Sequence, residues 1–150
     1  MDIAVKGITE GQPIPEKFAF GVYSEEDHMN FGPNRNPEIV WDDAPEGTKS
    51  FALSVKDPDA PIGTFVHWLV YDINKDSRKI EENTVPGKQV KNNFGKEDYG
   101  GPCPPSGIHR YYFRLHALDV ESLGKISSMD EFNKKVEEHT IERAEVMGKF

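Results

Sequence analysis

Apolar and polar positions alternate over short runs through most of this chain, and a helical spacing appears only near its end. Residues 50–57, SFALSVKD, alternate cleanly and place Phe51, Leu53 and Val55 on one face of a strand. TFVHWLVYDI (64–73) is nearly continuous in apolar residues, which predicts a long strand covered on both faces. Simple alternation along it puts His67, Leu69 and Tyr71 on one side and Trp68, Val70 and Asp72 on the other. IHRYYFRLHALD (108–119) predicts a third strong strand. Shorter strands are expected within 14–23 and at EIVW (38–41), and one more inside the loop-rich stretch 88–107. Residues 24–37 read as polar loop, 42–49 as turn, and 74–88 as a charged excursion with room for one helical turn. SMDEFNKKVEEH (128–139) predicts a helix: Phe132 and Val136 stand four apart, Ser128 can cap the start, and Glu131 follows three residues on. The tail 140–150 fits either a continued helix or a last strand, and propensity favours the helix.

Composition narrows the class. Eleven prolines and thirteen glycines, most of them before residue 110, cut the chain into pieces suited to strands. With 150 residues, the chain is read as one domain large enough to form its own core. The single cysteine, Cys103, has no partner for an intramolecular disulfide. The opening residues MDIAVKGITEG show no basic region followed by an apolar run, and no apolar run approaches the ~20 residues that span a bilayer. A cytoplasmic protein without a transmembrane segment is expected. The formal charge of −8 argues against nucleic acid as a partner and leaves room for a small anion in a donor-lined pocket.

Three stretches carry candidate chemistry. In Asp57-Pro58-Asp59-Ala60-Pro61 the prolines fix two backbone angles and aim two carboxylates at the end of a strand. The same pattern also suits an ordinary Asx turn. His67 within an apolar strand is either a satisfied core histidine or a pocket residue whose tautomer Asp57 fixes. Gly100-Gly101-Pro102-Cys103-Pro104-Pro105 allows unusual backbone angles and close approach, then stiffens. Such a turn can offer a backbone N–H, that of Cys103 for example, to an anion, or it can be just a tight connection. Beyond it His109 and Tyr111 share a face, and Arg110 on the opposite face could pair with Asp59. Two histidines and an acid could hold a metal, but no short ligand motif links them. Cys103 beside His109 has no fixed nucleophile signature. No cofactor motif is present. KNNFGKEDYGG reads as solvated loop, and His28, His116 and His139 as structural or exposed.

These stretches, in this order and spacing, resemble the phosphatidylethanolamine-binding protein family, whose prokaryotic branch is called Raf-kinase-inhibitor-like. The likeness rests on Asp57-Pro58-Asp59-Ala60-Pro61, Val66-His67-Trp68, Gly101-Pro102-Cys103-Pro104-Pro105 and Gly107-Ile108-His109-Arg110-Tyr111. Upstream, Asn36-Pro37-Glu38-Ile39-Val40-Trp41 and Pro45-Glu46-Gly47-Thr48-Lys49-Ser50-Phe51-Ala52-Leu53 extend it, so that it covers about residues 7–150. Asn36 stands where the family has a serine, and the chain lacks the length for the C-terminal helix of eukaryotic members. The resemblance implies an antiparallel β-sandwich with Greek-key topology and one or two short helices, with the tail 140–150 a strand. It implies an anion pocket lined by Asp57, His67, Cys103, His109 and Tyr111, supported by Asp59, Gly101, Pro104 and Arg110. It also implies a homodimer.

Three functions fit. The first is a non-enzymatic binding or regulatory module for phosphate, phosphoethanolamine or a phosphorylated group, with a protein kinase or serine protease as its target. The second is a hydrolase using the Asp, His and Tyr groups as acid and base. The third makes the pocket a relic and gives the function to a protein surface.

Overall fold

The computed structural model describes residues 1–24, 28–104 and 107–150. Pro105, one of the stiffening prolines, lies outside the described residues, as do residues 25–27 and the side chains of His28 and Met29. In chain order the strands are β1 (Asp2–Val5), β2 (Gly21–Ser24), β3 (His28–Phe31), β4 (Ile39–Asp42), β5 (Ser50–Asp57) and β6 (Phe65–Asn74). They continue with β7 (Lys79–Ile80), β8 (Lys88–Val90) and β9 (Arg110–Leu118), then helix α1 (Met129–His139) and β10 (Thr140–Lys149).

A five-stranded sheet in the order β10-β9-β5-β6-β8 faces a three-stranded sheet in the order β1-β4-β7. All pairings within them are antiparallel. β9 returns beside β5 after the β5-β6-β8 run, which is the Greek-key order. The expected antiparallel β-sandwich is therefore the architecture. Between the sheets, Phe51, Leu53, Val55, Trp68, Val70 and Phe113 pack against Val5, Ile39, Trp41 and Ile80. A second apolar layer lies on the outer face of the large sheet, where Phe132 and Val136 of α1 meet Ala52, Leu69, Tyr71 and Leu118. Each such side chain contributes about 1.5–3 kcal/mol when fully withdrawn from water. Covered on both faces, β5 is buried well beyond its Phe51-Leu53-Val55 stripe.

Several expectations change. The stretch 24–37 is not all loop: β3 forms a hairpin with β2, held by main-chain pairing that needs no apolar alternation. The segment 14–23 contributes a 3-10 turn at Glu16–Phe18 before β2. The excursion 74–88 has no helical turn; its buried Ile80 docks as β7 against Ile39 of the small sheet. The helix begins as read, with Ser128 Oγ accepting from the Glu131 N–H at 3.1 Å. It stops at His139, whose carbonyl accepts the Asp119 N–H at 3.0 Å. The tail is β10, as the resemblance implied and propensity did not, because the open edge of β9 offers a ladder from Arg110 to Leu118. No helix among the described residues is long and apolar enough to cross a membrane.

β6 departs from simple alternation at two bulges. Its register with β5 shifts between Val55↔Trp68 and Lys56↔Val66, and again between Phe51↔Ile73 and Leu53↔Val70. Near the second shift Asp72 takes a positive φ of 55°. Each extra residue flips the faces. Leu69 and Tyr71 join Val66 under the helix, whereas Trp68, Val70 and Ile73 enter the core between the sheets. Asp72 bonds to Ser122 and Leu123 on the helix side, not on the side of Trp68 as alternation suggested.

Candidate functional site

The first bulge decides where His67 goes. Its ring does not share the face of Leu69 and Tyr71. It sits 5.1 Å from the Tyr111 ring, 4.9 Å from Phe65 and 5.6 Å from Phe94. His67 is 3% exposed. Its Nδ1–H donates to the Gly100 carbonyl at 2.7 Å, and its own carbonyl accepts the Gly100 N–H at 3.1 Å. This corrects the expectation that Asp57 fixes the His67 tautomer; the glycine loop does so. Burial pushes the His67 pKa below its ordinary value, with the Gly100 carbonyl opposing, so the ring is neutral at neutral pH.

Asp57 instead serves His109. At the end of β5 its Oδ1 accepts the Asp59 N–H at 2.7 Å, which is the Asx turn of the blander reading. Its Oδ2 accepts from His109 Nδ1 at 2.6 Å. One carboxylate thus caps the strand and orients an imidazole. Both residues are buried, at 3% and 7% exposure. Asp59 and Arg110 pair as expected, in a fork of 2.7 Å (Nη2 to Oδ1) and 2.9 Å (Nε to Oδ2), with the Arg110 backbone N–H on Oδ2 as well. The guanidinium holds the Asp59 carboxyl down to about 2. This pair clamps the 57–59 turn to the start of β9.

The loop 99–104 closes the site from a third direction. A Cβ on Gly101 would run into the Phe18 carbonyl, and one on Gly100 into the Phe94 ring. Close approach is the reason for both glycines, and neither adopts a positive φ. The Gly101 N–H donates to Asn34 Oδ1 at 2.7 Å, and the Tyr99 hydroxyl to the Phe18 carbonyl at 2.8 Å. The Cys103 backbone N–H is engaged by the Tyr111 hydroxyl, which revises the idea that it awaits an anion. Burial first, then Asp57, pushes the Tyr111 pKa up, so it stays a phenol and a donor. Burial also raises Cys103, keeping it a thiol rather than a thiolate nucleophile.

Asp57, His67, Cys103, Pro104, His109 and Tyr111 line one cavity of about 260 Å³. Asp59, Arg110 and Gly101 stand outside it as braces. Sequence reading missed its apolar walls: Ile62, Phe65 and Phe94. Phe65 was findable, two residues before His67 on the same stretch of strand. Phe94 lay in KNNFG, read as solvated loop; it packs on Phe20 and Phe65 at 4.9 Å. The metal reading loses its geometric basis: among the described residues, ligand atoms converge within 4.8 Å only at exposed Asp2, Asp42 and Asp43.

Two packed antiparallel sheets with a ring-walled cavity at one end, an acid–imidazole pair and a buried phenol set into it, define a β-sandwich binding protein rather than a scaffold alone. The model of the family described as phosphatidylethanolamine-binding protein matches residues 5–150. The chain belongs to that family. It is similar to a UPF0098 protein of Aquifex aeolicus, at 47% identity over 83% of this chain and 71% of the relative. It is also similar to the UPF0098 protein YbhB of Escherichia coli, at 33% identity over 100% and 99% of the two chains. Among solved structures, E. coli YbcL, described as a new member of the mammalian PEBP family, superposes with a TM-score of 0.88 at 29% identity, covering 99% and 96%.

Proposed function

We propose that this cavity binds a small oxyanion (phosphate, phosphoethanolamine or a phosphorylated group) and that the protein is a non-enzymatic regulatory module whose target is a protein kinase or serine protease. The observation that carries this reading is the 2.6 Å bond between Asp57 Oδ2 and His109 Nδ1 at the cavity wall. With Nδ1 held by the carboxylate, the ring is fixed in orientation at the cavity wall, where an anion meets a polarised imidazole. Tyr111 adds a phenol donor. His67 strengthens the site when an anion draws a proton onto its Nε2, since its Nδ1 is committed to Gly100. The apolar walls suit the short carbon chain of a phosphate ester better than a bare ion.

Binding that places a proton on an imidazole of the cavity weakens as pH rises. The test is an NMR titration of the histidine ring signals with phosphoethanolamine and, separately, inorganic phosphate, at pH 6 and pH 8. Saturable shifts of His67 and His109, weaker at pH 8 and lost in His109→Ala, support the reading. Unmoved signals at millimolar ligand overturn it. Turnover of phosphate esters abolished by both His67→Ala and His109→Ala would replace it with the hydrolase reading, against which Cys103 is held as a thiol.

A further inference from the structure

The outer face of the large sheet carries a second concavity. α1 seats Phe132 and Val136 against Ala52, Leu69, Tyr71 and Leu118, and its Asn133–Glu137 edge overhangs the part of that face formed by β5, β9 and β10. Cross-strand partners point the same way, so register decides what lies there. Ser54 pairs with Arg114 and Arg114 with Glu145; Ala52 pairs with His116 and His116 with Arg143; Lys56 pairs with Tyr112. The result is a row of Lys56, Arg114, His116 and Arg143 beside the helix. A cavity of about 380 Å³ lies between this row and Asn133, Glu137 and Thr140. A second, of about 400 Å³, continues from Lys56, Arg114 and Asn133 toward Tyr112 and Asp130. The shared residues make them one cleft, pinched where Lys56 Nζ donates to Asn133 Oδ1 at 2.7 Å.

Its charge runs against that of the molecule. The chain carries −8, yet three cations converge here. Arg114 is offset by Glu145 at 3.3 Å. Among the described residues, neither Lys56 nor Arg143 has a carboxylate within ion-pair distance. Lys56 is half-buried, and its polar partner is a neutral amide. A partly desolvated ammonium without a counter-ion is costly, and an anion is what would relieve it. The surrounding groups report the same positive field: burial and Arg114 push the Lys56 pKa down, while burial and then Lys56, Arg143 and Arg114 push His116 down to about 4.

We propose that the cleft between α1 and strands β5, β9 and β10 is a second binding site, for a small diphosphate-bearing anion held by Lys56, Arg114 and Arg143. The cations are staggered along the strands: Lys56 lies opposite Tyr112, and Arg143 opposite His116. Four strand residues span about 13 Å. The cations line one cavity from this spread of positions, and a diphosphate offers them more acceptor oxygens and a higher charge over a greater length than a single phosphate does. Phe132 and Val136 give the rest of the ligand an apolar floor. This site is separate from the His109 cavity and does not depend on how that cavity is used.

Inorganic pyrophosphate titrated into the full chain near 0.15 M salt, followed by amide and arginine side-chain NMR, tests it. Saturable shifts at Lys56, Arg114, His116 and Arg143 are expected. Lys56→Met, which keeps the apolar stem, and Arg143→Gln, at an exposed position, should each weaken binding about tenfold. Glu137→Gln should tighten it about threefold by removing a repulsive charge. Three results overturn the proposal: no saturable shift at about 10 mM, shifts confined to the His109 cavity, or shifts unchanged in both Lys56→Met and Arg143→Gln. Equal displacement by chloride at matched ionic strength overturns it as well, because it would mark screening rather than a site.

Discussion

His109 and His116 stand at the start and near the end of the same strand, on opposite faces, and their surroundings could hardly differ more. His109 looks between the sheets, where a buried carboxylate grips its Nδ1 at 2.6 Å. His116 looks outward, half-buried among Lys56, Arg114 and Arg143, and its Nδ1 meets the Thr140 hydroxyl at 3.4 Å. A single side-chain type serves one site as an oriented imidazole and the other as a neutral ring kept from charging. Residue identity does not decide which; burial and then the neighbouring groups do, and cross-strand register sets those neighbours.

The largest expected effect breaks the first half of this contrast. Asp57→Ala strips the acceptor from both His109 Nδ1–H and the Asp59 N–H in a buried place, and should cost about 3 kcal/mol in urea unfolding. Asp57→Asn keeps an oxygen for the Asp59 turn and should cost about 1–2 kcal/mol. Equal costs for the two variants would mean that Asp57 is a turn cap and nothing more. Next comes Gly101→Ala, which drives a methyl group at the Phe18 carbonyl and should destabilise by about 2–3 kcal/mol while disturbing the backbone bond from this glycine to His67. It should leave His116 signals in place and move those of His67. Uniform shifts across both faces would show that the loop is not a local support.

The second half of the contrast is tested by pH. The folded pKa of His116 is lowered from the ordinary 6.5 to about 4. The unfolded state therefore binds the proton first as pH falls, and the stability that the neutral ring contributes is present above pH 6.5 and lost on descent toward pH 4. Between pH 7 and pH 5 this amounts to about 1–2 kcal/mol. His67, lowered in the same direction, adds to the slope of the parent protein. His116→Gln should remove its own share and flatten the curve of urea midpoint against pH. An unchanged slope would mean that neither burial nor the three cations hold the ring neutral.

What the sequence made legible was local. Asp57-Pro58-Asp59 and His109-Arg110-Tyr111 each fix their geometry within a few residues, so the shared face of His109 and Tyr111 and the Asp59–Arg110 pair could be read directly. His67 could not be placed, because the bulge that turns it depends on how β6 registers against β5, and no residue nearby announces it. Nor could the Lys56 cleft, which exists only once β5, β9 and β10 lie side by side. From sequence alone His116 therefore reads as structural or exposed. Phe94 looked like solvated loop because its packing partners, Phe20 and Phe65, are distant in the chain. The tail shows the limit of propensity: Glu142, Arg143 and Glu145 suit a helix, yet they occupy β10 because the edge of β9 needs a partner.

The smallest expected effect concerns the fork that links the two halves, since Arg110 also reaches the Tyr112 ring at 5.8 Å, next to Arg114 at 4.8 Å. Arg110→Lys keeps the charge and loses the planar two-bond match to Asp59. The site is exposed, so unfolding curves should barely move. The Asp59 carboxyl should respond instead: released from the fork, it should titrate above its present value of about 2 and approach the ordinary ~3.9. The sign is fixed, because a depressed carboxylate pKa means the ionised form is favoured in the folded state, and that preference weakens with the fork. The His109–Asp57 bond lies one residue from Arg110 on one side of the clamp and two from Asp59 on the other. If the fork merely decorates the surface, His109 ring signals stay put while Asp59 shifts. If it holds the 57–59 turn against β9, both move together, and the acid-paired histidine depends on a salt bridge that the cation-ringed one does without.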